Sequence, residues 1–291
     1  MSSVGRPFER SRYLRVFVAI ALAAALSGLA GVGSLGPVSP VRAEAPAPKA
    51  VFIVGPEGSL TARNLSEAEG MAKEAESYGW DVRRVFHPRA TWQRMKAHIQ
   101  GASLVVYMGH GWGYPSPYPY MPGGMNGFGL NRYAGGSVHD VTYIGSRKIR
   151  KQVRLARNAV VLIEHACYAP GNGEPGMAIP SAKTARKRVD NYAAGFLAVR
   201  AKAVFAFSGS ISNLIRDLAT TNRTMDEIFM SSGGWSGWGG FIGWRDRYYA
   251  SVQTPGMSIH LDPHPDRGYQ RAVTGKLDLT ARQWRNGAAY P

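Results

Sequence analysis

The sequence predicts an α/β fold, a three-layer, doubly wound, mainly parallel sheet with long inserted loops and an irregular C-terminal tail. Short apolar runs alternate with segments of helical composition, and each run leads into a glycine, proline or polar residue. Strands buried on both faces have this composition, and alternation with helices is typical of parallel sheets covered on both sides. The five runs are 50–54, 80–86, 103–108, 159–163 and 203–207.

Helix signals lie between these runs. Residues 65–78 are mostly helix formers, with Ser66 and Glu69 at the spacing of a capping box and Gly79 after the last turn. Thr91 is expected to cap a helix over 92–100, and another helix is expected over 192–202. The predicted strands and helices therefore alternate along the chain.

Two long segments interrupt the alternation. Residues 112–143 are crowded with Gly, Pro, Tyr and Asn, and residues 233–244 interleave Gly with three Trp residues. Long loops are often functional, so each is either a wall of a substrate groove or a packed surface loop. The last 40 residues are expected to be irregular.

Residues 1–43 have the pattern of a secretory signal peptide. Three arginines precede an apolar run over 16–30, and small residues follow, so we expect cleavage after Ala43 and export. An uncleaved membrane anchor is the alternative, but the run is short, and we expect no stable membrane span after signal removal. The remainder divides into a linker (44–49), a main α/β domain (50–250) and a C-terminal extension (251–291) that packs on it.

The chain is strongly basic, with 35 Lys and Arg against 19 Asp and Glu and a formal net charge of +16. Such a balance indicates anionic partners or serves solubility alone. The densest clusters, at 147–157 and 183–188, lack a recognition-helix or base-stacking pattern. We therefore expect no nucleic-acid partner, and anionic cell-surface polymers remain a candidate partner.

Two of the apolar runs lead directly into residues whose side chains could take part in catalysis. His110 and Gly111 follow the third run, and Cys167, the only cysteine, follows the fourth. Polar residues after parallel strands meet at one edge of the sheet, where an imidazole can take the proton of a thiol. The N–H groups of Gly111 and Cys167 could form an oxyanion hole. The plainer interpretation is that Cys167 is a buried packing residue.

These residues resemble the caspase-like (caspase–hemoglobinase) cysteine peptidases, which include legumains, gingipains and bacterial CHAT domains. The matching features are the strand-end sequence Gly109-His110-Gly111 and the later Ala166-Cys167, which follow one another in the family's order. The resemblance implies a cysteine endopeptidase acting on protein or peptide substrates. It also implies that Cys167 attacks the peptide carbonyl, that His110 is the acid–base group, and that no metal or organic cofactor is needed.

Three further residues are expected to bind substrate. His165 stands two residues before Cys167, where caspases have a glutamine, so caspase-like aspartate specificity is in doubt. Arg63 follows the first strand, where caspases place a substrate-reading arginine, and Ser208 ends the fifth run. Glu164 and His165 could instead tune the thiol, and structural packing is the competing interpretation for both. For Arg63 the competing interpretation is surface charge.

Other interpretations stay open at this point. The alternating His and Asp residues of 260–266 could form a metal site, although a polar turn is the simpler explanation because two prolines interrupt them. The chain could also be a catalytically silent binding module for cell-surface polymers. A thioester intermediate could instead be resolved by an amine, which would make the protein a transpeptidase-like acyl-transfer enzyme.

Overall fold

The computed structural model describes residues 47–233 and 242–287. The expected signal peptide, residues 44–46 of the expected linker, and the tryptophans at 235 and 238 lie outside the described residues. Lys49, expected in the linker, begins the first strand instead. Among the described residues, no helix has both the length and the apolar composition needed to cross a membrane.

An eight-stranded, mostly parallel sheet forms the centre of the protein. Its eight strands are β1 (Lys49–Val54), β2 (Asp81–Phe86), β3 (Leu104–Met108), β6 (Ala159–Glu164), β7 (Ala201–Phe207), β8 (Arg247–Ala250), β9 (Ser258–His264) and β10 (Gly268–Gly275). The strands β4 (Phe128–Asn131) and β5 (Val141–Ile144) form a separate hairpin. The order is β2-β1-β3-β6-β7-β10-β9-β8, and β4 pairs with β5. The first five strands in this order are parallel, and β10, β9 and β8 add antiparallel pairs. The five predicted strands are thus confirmed.

Helices pack on both faces of this sheet. They are α1 (Thr61–Ser77), α2 (Trp92–Ile99), α3 (Ser146–Gln152), α4 (Ala182–Leu197), α5 (Leu214–Thr220), α6 (Met225–Ser231) and α7 (Ala281–Arg285). One core joins α2, α3 and α4 to the sheet, and the other joins α1, α5, α6 and α7 to it. The sheet contributes to both cores because side chains alternate along each strand. In β1, Val51 and Ile53 face the first core while Phe52 and Val54 face the second. The prediction of an α/β fold is confirmed.

Two helix predictions are wrong at their starts. Helix α1 begins at Thr61, so Ser66 and Glu69 lie inside it and form no capping box. Helix α4 begins at Ala182, about ten residues before the prediction, where the Ser181 side chain accepts a hydrogen bond from the Thr184 N–H. The basic residues that open α4 resemble a solvated loop in sequence, yet they face outward from a helix that buries its other side.

The prediction of irregular structure after residue 250 is also wrong. Strands β9 and β10 form a hairpin there, and β10 pairs with β7 inside the main sheet. The polar residues of β9 conceal the strand in sequence because their partners are distant, as in the 2.7 Å contact of His260 Nδ1 with Asp226 Oδ1. The insertion at 112–143 likewise contains the β4–β5 hairpin rather than loop alone.

Candidate active site

The carboxyl ends of β3 and β6 bring His110 and Cys167 to one place. These strands are adjacent and parallel, with Met108 opposite Glu164, so both chains leave the sheet at the same edge. His110, Gly111 and Cys167 all line one cavity of about 910 Å³. A catalytic pair drawn from neighbouring strand ends requires this arrangement.

A sharp turn presents Cys167 to the cavity. The residues at its two ends, His165 and Tyr168, have left-handed φ values of 63° and 68°. Such a conformation costs roughly 1–3 kcal/mol for a residue other than glycine, so surrounding contacts must enforce it. The His165 N–H donates to Phe207 O at 3.0 Å and the Tyr168 N–H to Asn172 O at 3.1 Å. These bonds hold the turn that carries the thiol.

Gly111 lies directly against the Cys167 backbone. A methyl group on Gly111 would lie 2.2 Å from Cys167 O and 2.7 Å from Cys167 N, so no side chain fits there. Within the described part of the chain, neither the Gly111 N–H nor the Cys167 N–H donates to a backbone carbonyl, and the Cys167 N–H lies near its own sulfur. Both N–H groups are therefore available to a developing oxyanion.

Tyr107 fixes the loop that carries His110. It is fully buried, and its hydroxyl donates to His110 O at 2.7 Å and accepts from the Gly129 N–H at 2.7 Å. The sequence prediction missed this role. A tyrosine inside an otherwise aliphatic strand is the available signal, because a buried hydroxyl needs partners.

The thiol and the imidazole are both neutral near pH 7. Burial, followed by the negative charges of Glu57 and Glu174, raises the pKa of Cys167 to about 11. Burial also lowers the pKa of His110 below its usual value of 6.5. A neutral imidazole can accept a proton, and a protonated thiol must give one up before it attacks. In the free protein, Cys167 and His110 are therefore a neutral thiol and a neutral imidazole rather than a preformed ion pair.

A second cavity, of about 620 Å³, adjoins the first. Its lining includes the three residues expected to bind substrate, Arg63, His165 and Ser208. Cys167 lines both cavities, so the thiol lies where they meet. The structure therefore brings all the predicted site residues to one continuous region, although His165 does not contact the thiol through any hydrogen bond.

Arg63 and His165, which line the second cavity, belong to a hydrogen-bonded cluster that also contains Glu67 and Ser210. Glu67 accepts from Arg63 Nε at 2.8 Å, contacts His165 Nε2 at 3.3 Å, and accepts a short hydrogen bond from Ser210 Oγ. Burial opposes ionisation, yet the hydrogen bonds from His165, Ser210 and Arg63 outweigh it and lower the Glu67 pKa to about 2. The sequence prediction missed Glu67 and Ser210, although the four-residue spacing of Arg63 and Glu67 on a helix is a usable signal.

Glu164 faces away from both cavities. Its carboxylate accepts from the Ile211 N–H at 2.9 Å, and burial raises its pKa to about 8. The side chain is therefore mostly neutral at pH 7 and serves to pack and fix the start of the next loop. This position agrees with the structural interpretation of Glu164.

The insertion at 112–143 contributes an aromatic wall to the first cavity. Trp112, Tyr118 and Tyr143 line it, and the Trp112 ring lies 6.4 Å from the Tyr118 ring and 5.5 Å from the Tyr143 ring. The groove-wall interpretation of this insertion is thus supported by its position. In the other insertion, Trp244 is exposed and lies under the Arg245 guanidinium.

The residues 260–266 do not form a metal site. His260 pairs with Asp226, whereas Asp262 accepts the N–H groups of Ile242 and Gly243. Throughout residues 47–233 and 242–287, no group of three or more His, Cys, Asp or Glu side chains could hold a metal ion. These alternating polar residues instead connect β9 to its neighbours.

No family model, curated protein or solved structure matches this chain.

Proposed function

We propose that the protein is a caspase-like cysteine endopeptidase in which Cys167 is the nucleophile and His110 the general base. The observation that supports this most strongly is the meeting of His110, Gly111 and Cys167 at adjacent strand ends around one cavity. A peptide carbonyl placed there would lie against the thiol and the two available N–H groups. The aromatic wall and the second cavity would hold the residues on either side of the cleaved bond.

The proposed reaction has two steps. As the Cys167 sulfur bonds to the carbonyl carbon, the thiol proton passes to His110 and the N–H groups of Gly111 and Cys167 hold the oxyanion. Collapse breaks the C–N bond, and His110 returns the proton to the departing amine, leaving a thioester. Water then attacks the thioester and gives a proton to His110, and collapse breaks the C–S bond while His110 returns that proton to sulfur, which releases the carboxylic acid and the free thiol.

Peptide turnover tests this proposal. The full chain is incubated with a complex peptide mixture, and the products are identified by mass spectrometry. We expect new termini with wild type and none with Cys167→Ala, whereas His139→Ala, which alters another residue of the cavity lining, retains cleavage. Cleavage by Cys167→Ala at the wild-type rate would refute the assignment. An added amine distinguishes hydrolysis from acyl transfer, because transfer joins the amine to the new carboxyl end.

A second candidate function is a catalytically silent binding module. The pKa of about 11 for Cys167 favours it, since only about one thiol in ten thousand is ionised at pH 7 without help from His110. Salt-sensitive retention of wild type on an anionic polymer, without any turnover or active-site labelling, would support this alternative.

Action outside the cytoplasm is part of the proposal. The N-terminal pattern of basic, apolar and small residues supports it, with cleavage after Ala43. N-terminal sequencing of the protein recovered from its native cell tests it, and a mature chain beginning at Glu44 is the expected result.

A further inference from the structure

Helices α2, α3 and α4 lie side by side and form a continuous layer over one face of the sheet. Between α2 and α3, Lys96 Nζ lies 3.4 Å from Gln152 Oε1, and Gln100 Nε2 donates to Gln152 O at 2.9 Å. Between α3 and α4, Gly195 packs so closely that a methyl group on it would lie 3.0 Å from Ser146 Cβ. We call these three helices the basic layer because of the charges they carry.

The basic layer has almost no negative charge. It carries two Lys or Arg in α2, four in α3 and four in α4, against a single Asp. That residue, Asp190, is only 4% exposed, and it accepts from Ser251 Oγ and from two backbone N–H groups. Nine of the ten cations are at least partly exposed, and they are Arg94, Lys96, Arg147, Lys148, Arg150, Lys151, Lys183, Arg186 and Lys187.

None of these nine exposed cations forms an ion pair with any residue of 47–233 or 242–287. On the opposite face, by contrast, α1, α5, α6 and α7 carry five Lys or Arg against seven Asp or Glu. There Lys73 pairs with Glu69, and Arg216 with Asp217. The positive charge is therefore concentrated on one side and left uncompensated.

The exposed side chains of the basic layer are suited to charge contacts alone. The large apolar side chains exposed in the described structure lie outside α2, α3 and α4. Trp92 of α2 is partly exposed, but it packs against the core and Lys148 Nζ lies 5.9 Å from the centre of its ring. The layer therefore presents no highly exposed apolar side chain to insert into a lipid bilayer and no uncovered aromatic ring on which a nucleic-acid base could stack. A row of unpaired cations without such groups suits an extended polymer with regularly spaced negative charges.

We infer that the basic layer binds a linear polyanion that has neither bases nor acyl chains. This inference goes beyond the proposed peptidase function, because the polymer binds the side chains of three helices and not the cavities around Cys167. It gives the protein a way to stay attached to an anionic matrix while its site acts on other molecules.

A charge-reversal pair tests the inference without weakening the fold. Arg147 and Lys183 lie in the first turns of α3 and α4, where a positive charge opposes the helix dipole, so Arg147→Glu with Lys183→Glu favours both helices. Lys73→Glu with Arg282→Glu is the matched control, because it changes the net charge equally on the opposite face. The probe is end-labelled inorganic polyphosphate, measured with the full chain by fluorescence anisotropy over a range of salt concentrations.

We expect wild-type affinity to fall steeply with salt, and Arg147→Glu with Lys183→Glu to lose at least tenfold in affinity with a shallower salt dependence. The control pair should stay within about twofold of wild type. Equal losses in both pairs would overturn the inference, because net charge alone would then explain binding. The same measurement is made with duplex DNA and with anionic vesicles at equal phosphate concentration. If either binds more tightly than polyphosphate, and does so through Arg147 and Lys183, the choice of partner is wrong.

Discussion

The two cavities that meet at Cys167 differ in the state of their histidines. His110, in the first cavity, has a pKa lowered by burial and a backbone carbonyl fixed by Tyr107. His165, in the second cavity, is held by Glu67 and Ser210. Among the described residues, no carboxylate is hydrogen-bonded to the His110 ring, whereas the His165 ring contacts Glu67, which is ion-paired with Arg63.

This difference bears on the two roles expected from the resemblance, acid–base chemistry for His110 and substrate binding for His165. A general base needs a ring nitrogen that is free to receive the proton, and His165 Nε2 already contacts Glu67 Oε2 at 3.3 Å and Ser210 Oγ at 3.0 Å. His110 therefore suits proton transfer with Cys167, and His165 suits the shaping of a pocket.

Substitution of the two histidines should give the largest contrast. His110→Ala is expected to lower kcat for peptide cleavage by about 10²–10⁴, because the proton acceptor is lost. His165→Ala is expected to raise KM or change the preferred peptide while kcat falls less than about tenfold, because only the pocket changes. Steady-state kinetics on a peptide found in the turnover experiment measures both. Equal losses of kcat in the two variants would show that His110 and His165 do not have different roles.

Gly111→Ala should give the next largest effect. The added methyl group would lie 2.2 Å from Cys167 O, so one of the two backbones must move away from the oxyanion position. We expect kcat/KM to fall by about 10²-fold, which is the loss typical of one missing oxyanion donor. Gly70→Ala is the control, because Gly70 lies in α1 with no atom near its missing Cβ, and it should leave kinetics unchanged. Wild-type activity in Gly111→Ala would exclude the proposed oxyanion hole.

The smallest effect is on stability and concerns Glu67. Its pKa is about 2 in the folded chain against an ordinary value of 4.5, so its ionised form stabilises the fold above pH 4.5. That contribution disappears as the pH falls from 4.5 towards 2. Glu67→Gln should therefore lower the free energy of unfolding by about 1–3 kcal/mol at pH 7, and by progressively less in acid.

Chemical denaturation across pH measures this effect. Glu74→Gln is the matched control on the same helix, because burial raises the pKa of Glu74 and removal of its charge should not destabilise the fold at pH 7. A Glu67→Gln penalty that persists unchanged below pH 3 would show that its cause is packing rather than charge.

The sequence reveals the strands that position the site, and the reason is physical. Strands buried on both faces must be continuously apolar, so the runs ending near His110 and Cys167 are visible without a structure. The rule that polar residues after parallel strands converge at one edge then places both residues together. Glu57 obeys the same rule, since it follows β1 closely and lines both cavities, and it could have been found in this way.

The features that the sequence does not reveal depend on contacts between distant parts of the chain. His165 and Glu67 are 98 residues apart, and nothing local indicates that they meet. The buried polar residues of β9 likewise look like loop residues until Asp226 and Arg271 are brought against them. The basic layer is only partly visible in the sequence, because the clusters at 147–157 and 183–188 stand out but nothing local indicates that they lie side by side with α2.

The pH dependence of Cys167 modification tests the central claim most directly. The rate of covalent labelling by a peptidyl electrophile is measured by intact mass from pH 6 to pH 11, in wild type and in His110→Ala. We predict rapid wild-type labelling near pH 7, a loss of at least 10²-fold in His110→Ala, and convergence of the two near pH 11, where the thiol ionises without help. Identical profiles that rise only towards pH 11 would show that His110 does not activate Cys167, and would contradict the account.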